Sequence, residues 1–349
     1  MKALTFQGIR DIRYESAPDP VILSPGDAIV KVRYTAVCGS DLHIYHGRES
    51  GLDTGTVMGH EFVGEIVETG HGVKTLKKGD AVVSPFTTSC GECYYCRIGL
   101  TCRCERGQLY GWVEKGHGLH GAQAEYVRVP LADTTLVRYS PEIDAAQALL
   151  TGDIMATGYF CADQAEVRPG GVYAVVGCGP VGLMAILGAK EKGAETIFAI
   201  DSIAERLEWA AKLGAVTVDF QQNNPVEVIR AFTHGRGADA VLEAVGSPSA
   251  AKLAYYLVRP GGIISTVGVH TRPEFSFSPA QAYDKNLTFR IGRCPARFYM
   301  EKLLDKIQNG QMDLLPFISR IMPLSEGRLA YEKFDQKEPG YLKVILAVG

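Results

Sequence analysis

The chain has 349 residues, 46% hydrophobic and 21% charged, with 36 Lys and Arg against 39 Asp and Glu for a formal charge of −3. This is an ordinary globular composition, long enough for two domains, and without a basic run beyond a pair it argues against a nucleic-acid partner. Charge appears too early in "MKALTFQGIRDIRYES" for a signal-peptide apolar segment, so the expectation is a cytosolic, reducing compartment in which disulfides are rare. The odd total of nine cysteines points the same way.

Residues 1 to about 150 carry short β-like runs, "AIVKVRYTAV", "FVGEIVETG", "DAVVSPF" and "AEYVRV", separated by turn residues such as "PGD" and "KKGD". The pattern predicts a mostly antiparallel β domain with its function on loops. From about 154 the rhythm changes. "TIFAI" precedes "AERLEWAAKLG", "ADAVLEAVG" precedes "PSAAKLAYYLV", and "GGIISTVG" closes the series. Strands alternating with helices predict a doubly wound parallel sheet. Past about 292 the character is mixed again, with a helix near "FYMEKLLDKIQNG" and a final strand "YLKVILAV". The uncharged stretch Pro169 to Ala189 is long enough to raise a membrane span. Its six glycines and two prolines favour a buried strand over Val172 to Val176, a tight turn and an apolar helix face instead.

The turn in that stretch is "GCGPVG", with Gly177, Gly179 and Gly182 in the GxGxxG pattern and Pro180 and Val181 opening the helix. Alone this is a weak signal among 39 glycines. Between an apolar strand and a helix it reads as a dinucleotide turn: the glycines allow the bend, the approach to a pyrophosphate and close helix–strand packing. Asp201, nineteen residues after Gly182, stands where a carboxylate accepts the ribose hydroxyls and repels a 2′-phosphate, which favours NAD over NADP. A helix N-cap before "IAER" is the competing role for it.

Five of the nine cysteines fall within "CGECYYCRIGLTCRC". Cys90, Cys93 and Cys96 with either Cys102 or Cys104 can wrap one tetrahedral Zn²⁺ as four thiolates, leaving no open position and hence a structural role. A second constellation is dispersed: Cys38, Ser40, Asp41 and His43 in "VCGSDLH", His60 and Glu61 in "GHE", and Asp153 in "TGDIMATGY". A lone Cys38 or His60 is more often core, but a mixed Cys, His and carboxylate set with a vacancy is what catalytic zinc requires.

These motifs, in this order and over essentially the whole length, resemble the zinc-dependent alcohol dehydrogenases of the medium-chain dehydrogenase/reductase family. The resemblance implies a Rossmann NAD-binding domain over 154–291 and a mostly β, GroES-like catalytic domain over 1–153, with 292–349 returning to it. It selects Cys104 as the fourth lobe ligand. It implies one structural zinc, and one catalytic zinc on Cys38, His60 and Asp153 with Glu61 as an exchangeable ligand. The best-known members have cysteine where Asp153 stands, whereas several bacterial relatives have aspartate. By the same resemblance, Ser40 takes the substrate proton and His43 passes it to solvent, Arg206 lies near the adenosine ribose, Val267, Gly268 and Val269 meet the nicotinamide amide, and Arg293 lies on a further cofactor segment. Gly39 stands where some relatives have a cationic phosphate contact. The expected activity is hydride transfer between an alcohol, or its aldehyde or ketone, and NAD, in a homotetramer. Polyol (sorbitol-like) and L-threonine 3-dehydrogenase activities are the alternatives within the family. A non-catalytic nucleotide-binding protein or a metal-free quinone reductase is disfavoured by the complete zinc set.

Overall fold

Alternation of apolar and polar residues makes Ala28–Ala36 a strand with one buried face, and it lies inside a mixed sheet. It pairs antiparallel with Phe62–Thr69, which continues to Ala81–Ser84 and Val137–Arg138. Its other side takes Val344–Ala347, itself parallel to Arg320–Pro323, and Tyr126–Val129 joins the beginning of the same strand. The final strand is shorter than its run of apolar residues, covering Val344–Ala347 only. Val30, Val32, Phe62, Ile66, Val82 and Val127 close the core on one side. A further hairpin, Lys2–Gly8 with Asp11–Ser16, precedes the sheet. The computed structural model describes residues 1–349, and these elements belong to one compact unit, Met1–Ala156 with Pro295–Gly349.

Thr157–Cys294 forms the second unit. Its six strands are β1 Val172–Val176, β2 Thr196–Asp201, β3 Val216–Asp219, β4 Ala238–Glu243, β5 Val258–Thr266 and β6 Thr288–Ile291. All pairings are parallel and the spatial order is 3-2-1-4-5-6. β1 is buried at every position instead of alternating, the pattern of a parallel strand covered on both faces. The order reverses between β1 and β4, and the crevice at the carboxyl ends there is where such sheets take ligands. The suspected membrane stretch resolves into β1 and the helix Pro180–Glu191. No helix of the chain is long and apolar enough to cross a membrane.

Candidate metal and dinucleotide sites

The first site is assembled from three separate segments of the Met1–Ala156 unit. Cys38 follows the strand Ala28–Ala36 at the turn into the short helix Asp41–Tyr45. Its N–H donates to Asp41 Oδ2 at 2.9 Å. His60 and Glu61 precede the strand Phe62–Thr69. Gly59 before them has φ +89°, and a Cβ there would lie 2.4 Å from Gln123 Cγ, so only glycine permits this approach. Asp153 lies in the turn between the helices Ala145–Thr151 and Ile154–Gln164. One donor atom from each of Cys38, His60, Glu61 and Asp153 lies within 4.8 Å of the others.

Cys38 Sγ and His60 Nε2 each stand 3.4 Å from Asp153 Oδ2, and Ser40 Oγ is 3.3 Å from both Cys38 Sγ and His60 Nε2. Asp41, 2% exposed, sets 3.2 Å between its Oδ1 and His60 Nδ1. That bond fixes the tautomer and leaves Nε2 facing the other donors. His43 lies on the same helical turn as Asp41, and its buried Nδ1 has no partner. Burial lowers the His43 pKa, with Arg48 and His46 adding to the effect.

Glu61 is 0% exposed and Lys343 1%. The ammonium donates to both carboxylate oxygens, at 2.6 and 2.8 Å. Burial works against the Lys343 charge, but the adjacent Glu61 outweighs it and raises the pKa. With Cys38, Glu61 and Asp153 ionised and His60 in the neutral form that a metal ligand takes, Lys343 leaves this buried set at −2, which one divalent cation balances; Asp41 adds further negative field. Burial pushes the Cys38 thiol up, and Asp153 adds to that, so a thiolate here needs a cation beside it. Burial opposes a charged His60, yet Asp41 and then Asp153 outweigh it and hold the imidazole well above its ordinary range. Donor chemistry, spacing and charge all fit a zinc ion.

The second site is the lobe. Cys90, Cys93, Cys96 and Cys104 bring their sulfurs within 4.8 Å of one another. Cys102 is buried outside this group, and none of the nine cysteines is in a disulfide. Cys90 N–H donates to Cys104 Sγ at 3.2 Å and Cys93 N–H to Cys90 Sγ at 3.3 Å. Burial pushes Cys96 up to about 12, with Cys93 adding. For Cys90 burial is outweighed by the Glu92 N–H and the Arg106 side chain, giving about 6. Four thiols so close cannot all ionise without a metal, and four thiolates suit zinc.

In the Thr157–Cys294 unit, Gly177 follows β1 and Gly179 caps the helix that opens with Pro180 and Val181. A Cβ on Gly182 would stand 1.8 Å from Gly177 O, so the helix can pack this close only with glycine there. Asp201, at the end of β2, accepts Ser202 N–H (2.7 Å) and Ile203 N–H (3.0 Å) on Oδ1 and Cys178 N–H (2.8 Å) on Oδ2. It is not the N-cap of the next helix, a position taken by Ile203. Arg206 Nη1 lies 3.7 Å from Asp201 Oδ2. Val267, Gly268 and Val269 follow β5, with the first two N–H groups on Glu243 O at 3.0 and 3.3 Å. Arg293 is exposed and follows the edge strand β6 by two residues.

Lys343 and Glu243 carry no functional mark in the sequence, and Asp41 stands there without a role. A histidine ligand needs an orienting acceptor, and that requirement points to Asp41 inside "CGSD". No local pattern marks Lys343, whose partner is 282 residues away.

Residues 24–139 match the family described as "Alcohol dehydrogenase GroES-like domain" and residues 180–309 that described as "Zinc-binding dehydrogenase". The chain is 44% identical to "Zinc-type alcohol dehydrogenase B" of Aspergillus flavus, over 100% of its own length and 82% of the relative's. Among solved structures it is 43% identical to alcohol dehydrogenase TADH from Thermus sp. ATN1, with a TM-score of 0.94 over 100% of both chains. A Sinorhizobium meliloti 1021 protein solved bound to NADP is 25% identical, with a TM-score of 0.83 over 99% of this chain and 98% of its own.

Proposed function

The chain belongs to the medium-chain, zinc-binding alcohol dehydrogenase family of oxidoreductases, and from that premise we propose that it transfers hydride between a small alcohol and NAD. Cys38, His60 and Asp153 would hold a catalytic zinc, and Cys90, Cys93, Cys96 and Cys104 a structural one. The observation that carries this reading is the meeting of a thiol, an imidazole and two carboxylates from separate segments within 4.8 Å. Three of them as ligands leave a fourth position for substrate. When bound, zinc supplies a Lewis acid that acidifies the alcohol hydroxyl, and NAD supplies nicotinamide C4 as the hydride acceptor.

The remaining work falls to the chain's own groups. Ser40 Oγ, at 3.3 Å from two of the donors, accepts the hydroxyl proton of the substrate. His43, whose pKa burial lowers, receives the proton and delivers it to water. Asp41 orients His60. Glu61 would be a reserve ligand, restrained by its buried ion pair with Lys343. At the nucleotide turn, Asp201 keeps one lone pair on Oδ2 free for a ribose hydroxyl, and its charge repels a 2′-phosphate; Arg206 beside it partly offsets that repulsion. The proposed form is a cytosolic homotetramer, a setting in keeping with nine cysteines outside any disulfide.

A screen of NAD and NADP reduction across short alcohols, diols, polyols, threonine and formaldehyde tests the proposal. The expected result is NADH formation from at least one small alcohol, faster than NADPH. No turnover with any substrate refutes the activity, and preference for NADP refutes the role given to Asp201.

A further inference from the structure

Glu243, the last residue of β4, is 0% exposed and has no part in the chemistry above. A sealed carboxylate persists only where donors satisfy it. Its Oε1 accepts Val245 N–H and Gly246 N–H, each at 2.8 Å, and its Oε2 lies 3.3 Å from His270 Nε2. Through its backbone carbonyl it also takes the N–H groups of Val267 and Gly268. One strand end thus gathers two loops, 244–246 after β4 and 267–270 after β5. The loops touch backbone to backbone: a Cβ on Gly268 would lie 2.1 Å from Gly246 N.

Both loops rim the carboxyl ends of the parallel strands beside the β1/β4 reversal. Val245 reaches the dinucleotide turn, its Cγ2 being 2.4 Å from where a Cβ on Gly177 would stand. Val245 and Val269 remain 46% and 42% exposed, an apolar rim suited to the face of a planar ring. The group around Asp201, by contrast, is tied to the turn by its own hydrogen bonds and does not involve His270.

We propose that His270, through its hydrogen bond to Glu243, is a positioning residue that sets the 267–270 loop against the 244–246 loop and thereby holds the nicotinamide half of the dinucleotide. The inference rests on the NAD-binding reading above. Without the imidazole, Glu243 Oε2 loses its partner and 267–270 loses its side-chain tie, while Oε1 keeps 244–246 in place. The damage is therefore confined to one half of the ligand.

The test is calorimetric titration of the full-length protein and its His270→Ala and His270→Gln variants with NADH and with ADP-ribose, which lacks the nicotinamide ring. His270→Ala should weaken NADH about tenfold and ADP-ribose less than about twofold, and His270→Gln, whose amide can still donate to Glu243, should bind NADH within about threefold of the parent. Unchanged NADH binding in His270→Ala, equal loss of both ligands, or a glutamine variant as weak as the alanine variant overturns the proposal. A parent protein that binds neither ligand instead removes the dinucleotide reading on which it stands.

Discussion

The two four-donor clusters have the same compactness and opposite construction. The thiol lobe draws all its donors from positions 90 to 104, and its sulfurs are met by backbone N–H groups of the same segment. The Cys38, His60, Glu61 and Asp153 cluster draws on three distant segments, mixes three donor types, and is backed by Ser40, Asp41 and Lys343. Saturated identical donors close a site, while unlike donors with buried charges behind them tune an open one. Under the proposed function, the saturated cluster fastens a loop and the mixed one is left to do the chemistry.

Variants can break that contrast. The largest effect belongs to His60→Ala: turnover should fall about a thousandfold or more, several kcal/mol of lost transition-state stabilisation, with NADH still binding. Cys104→Ala should instead remove the lobe metal and leave the other in place; metal analysis of the two purified variants checks the separation. Lys343→Met should destabilise the metal-free protein by about 3–5 kcal/mol, since Glu61 is left buried and unpaired. Added zinc should recover part of that loss in denaturant titrations. Asp41→Asn should cost about 10–100-fold in zinc affinity at the mixed site, read by chelator competition, without touching the lobe. The smallest effect is expected from Cys102→Ala, which should keep both metals and lose about 1 kcal/mol or less. A metal lost in that variant would exchange the roles of Cys102 and Cys104.

Much of this organisation is legible in the sequence because it is written in local period. The βαβ rhythm announces a parallel sheet, and "GCGPVG" after an apolar run announces its turn. The lobe is legible too, since its ligands are neighbours in the chain, though spacing alone leaves Cys102 and Cys104 equivalent; three-dimensional packing separates them. The mixed cluster is readable only as fragments joined by resemblance. What stays hidden is the supporting shell. Lys343 stands within the predicted final strand "YLKVILAV" with no pattern to mark it, yet it is buried against a glutamate far away in sequence. Glu243 reads as a polar strand end but is sealed in by backbone donors from two loops. The N-terminal hairpin, Lys2–Gly8 with Asp11–Ser16, turns on Gly8 and a left-handed Arg10, with no strong turn dipeptide to announce it.

Anomalous X-ray diffraction at the zinc edge locates each bound zinc in the chain. Two peaks per chain are predicted, one among the sulfurs of Cys90, Cys93, Cys96 and Cys104 and one bounded by Cys38, His60 and Asp153. An active crystal with density in the lobe alone, or with its second peak elsewhere, would contradict the account.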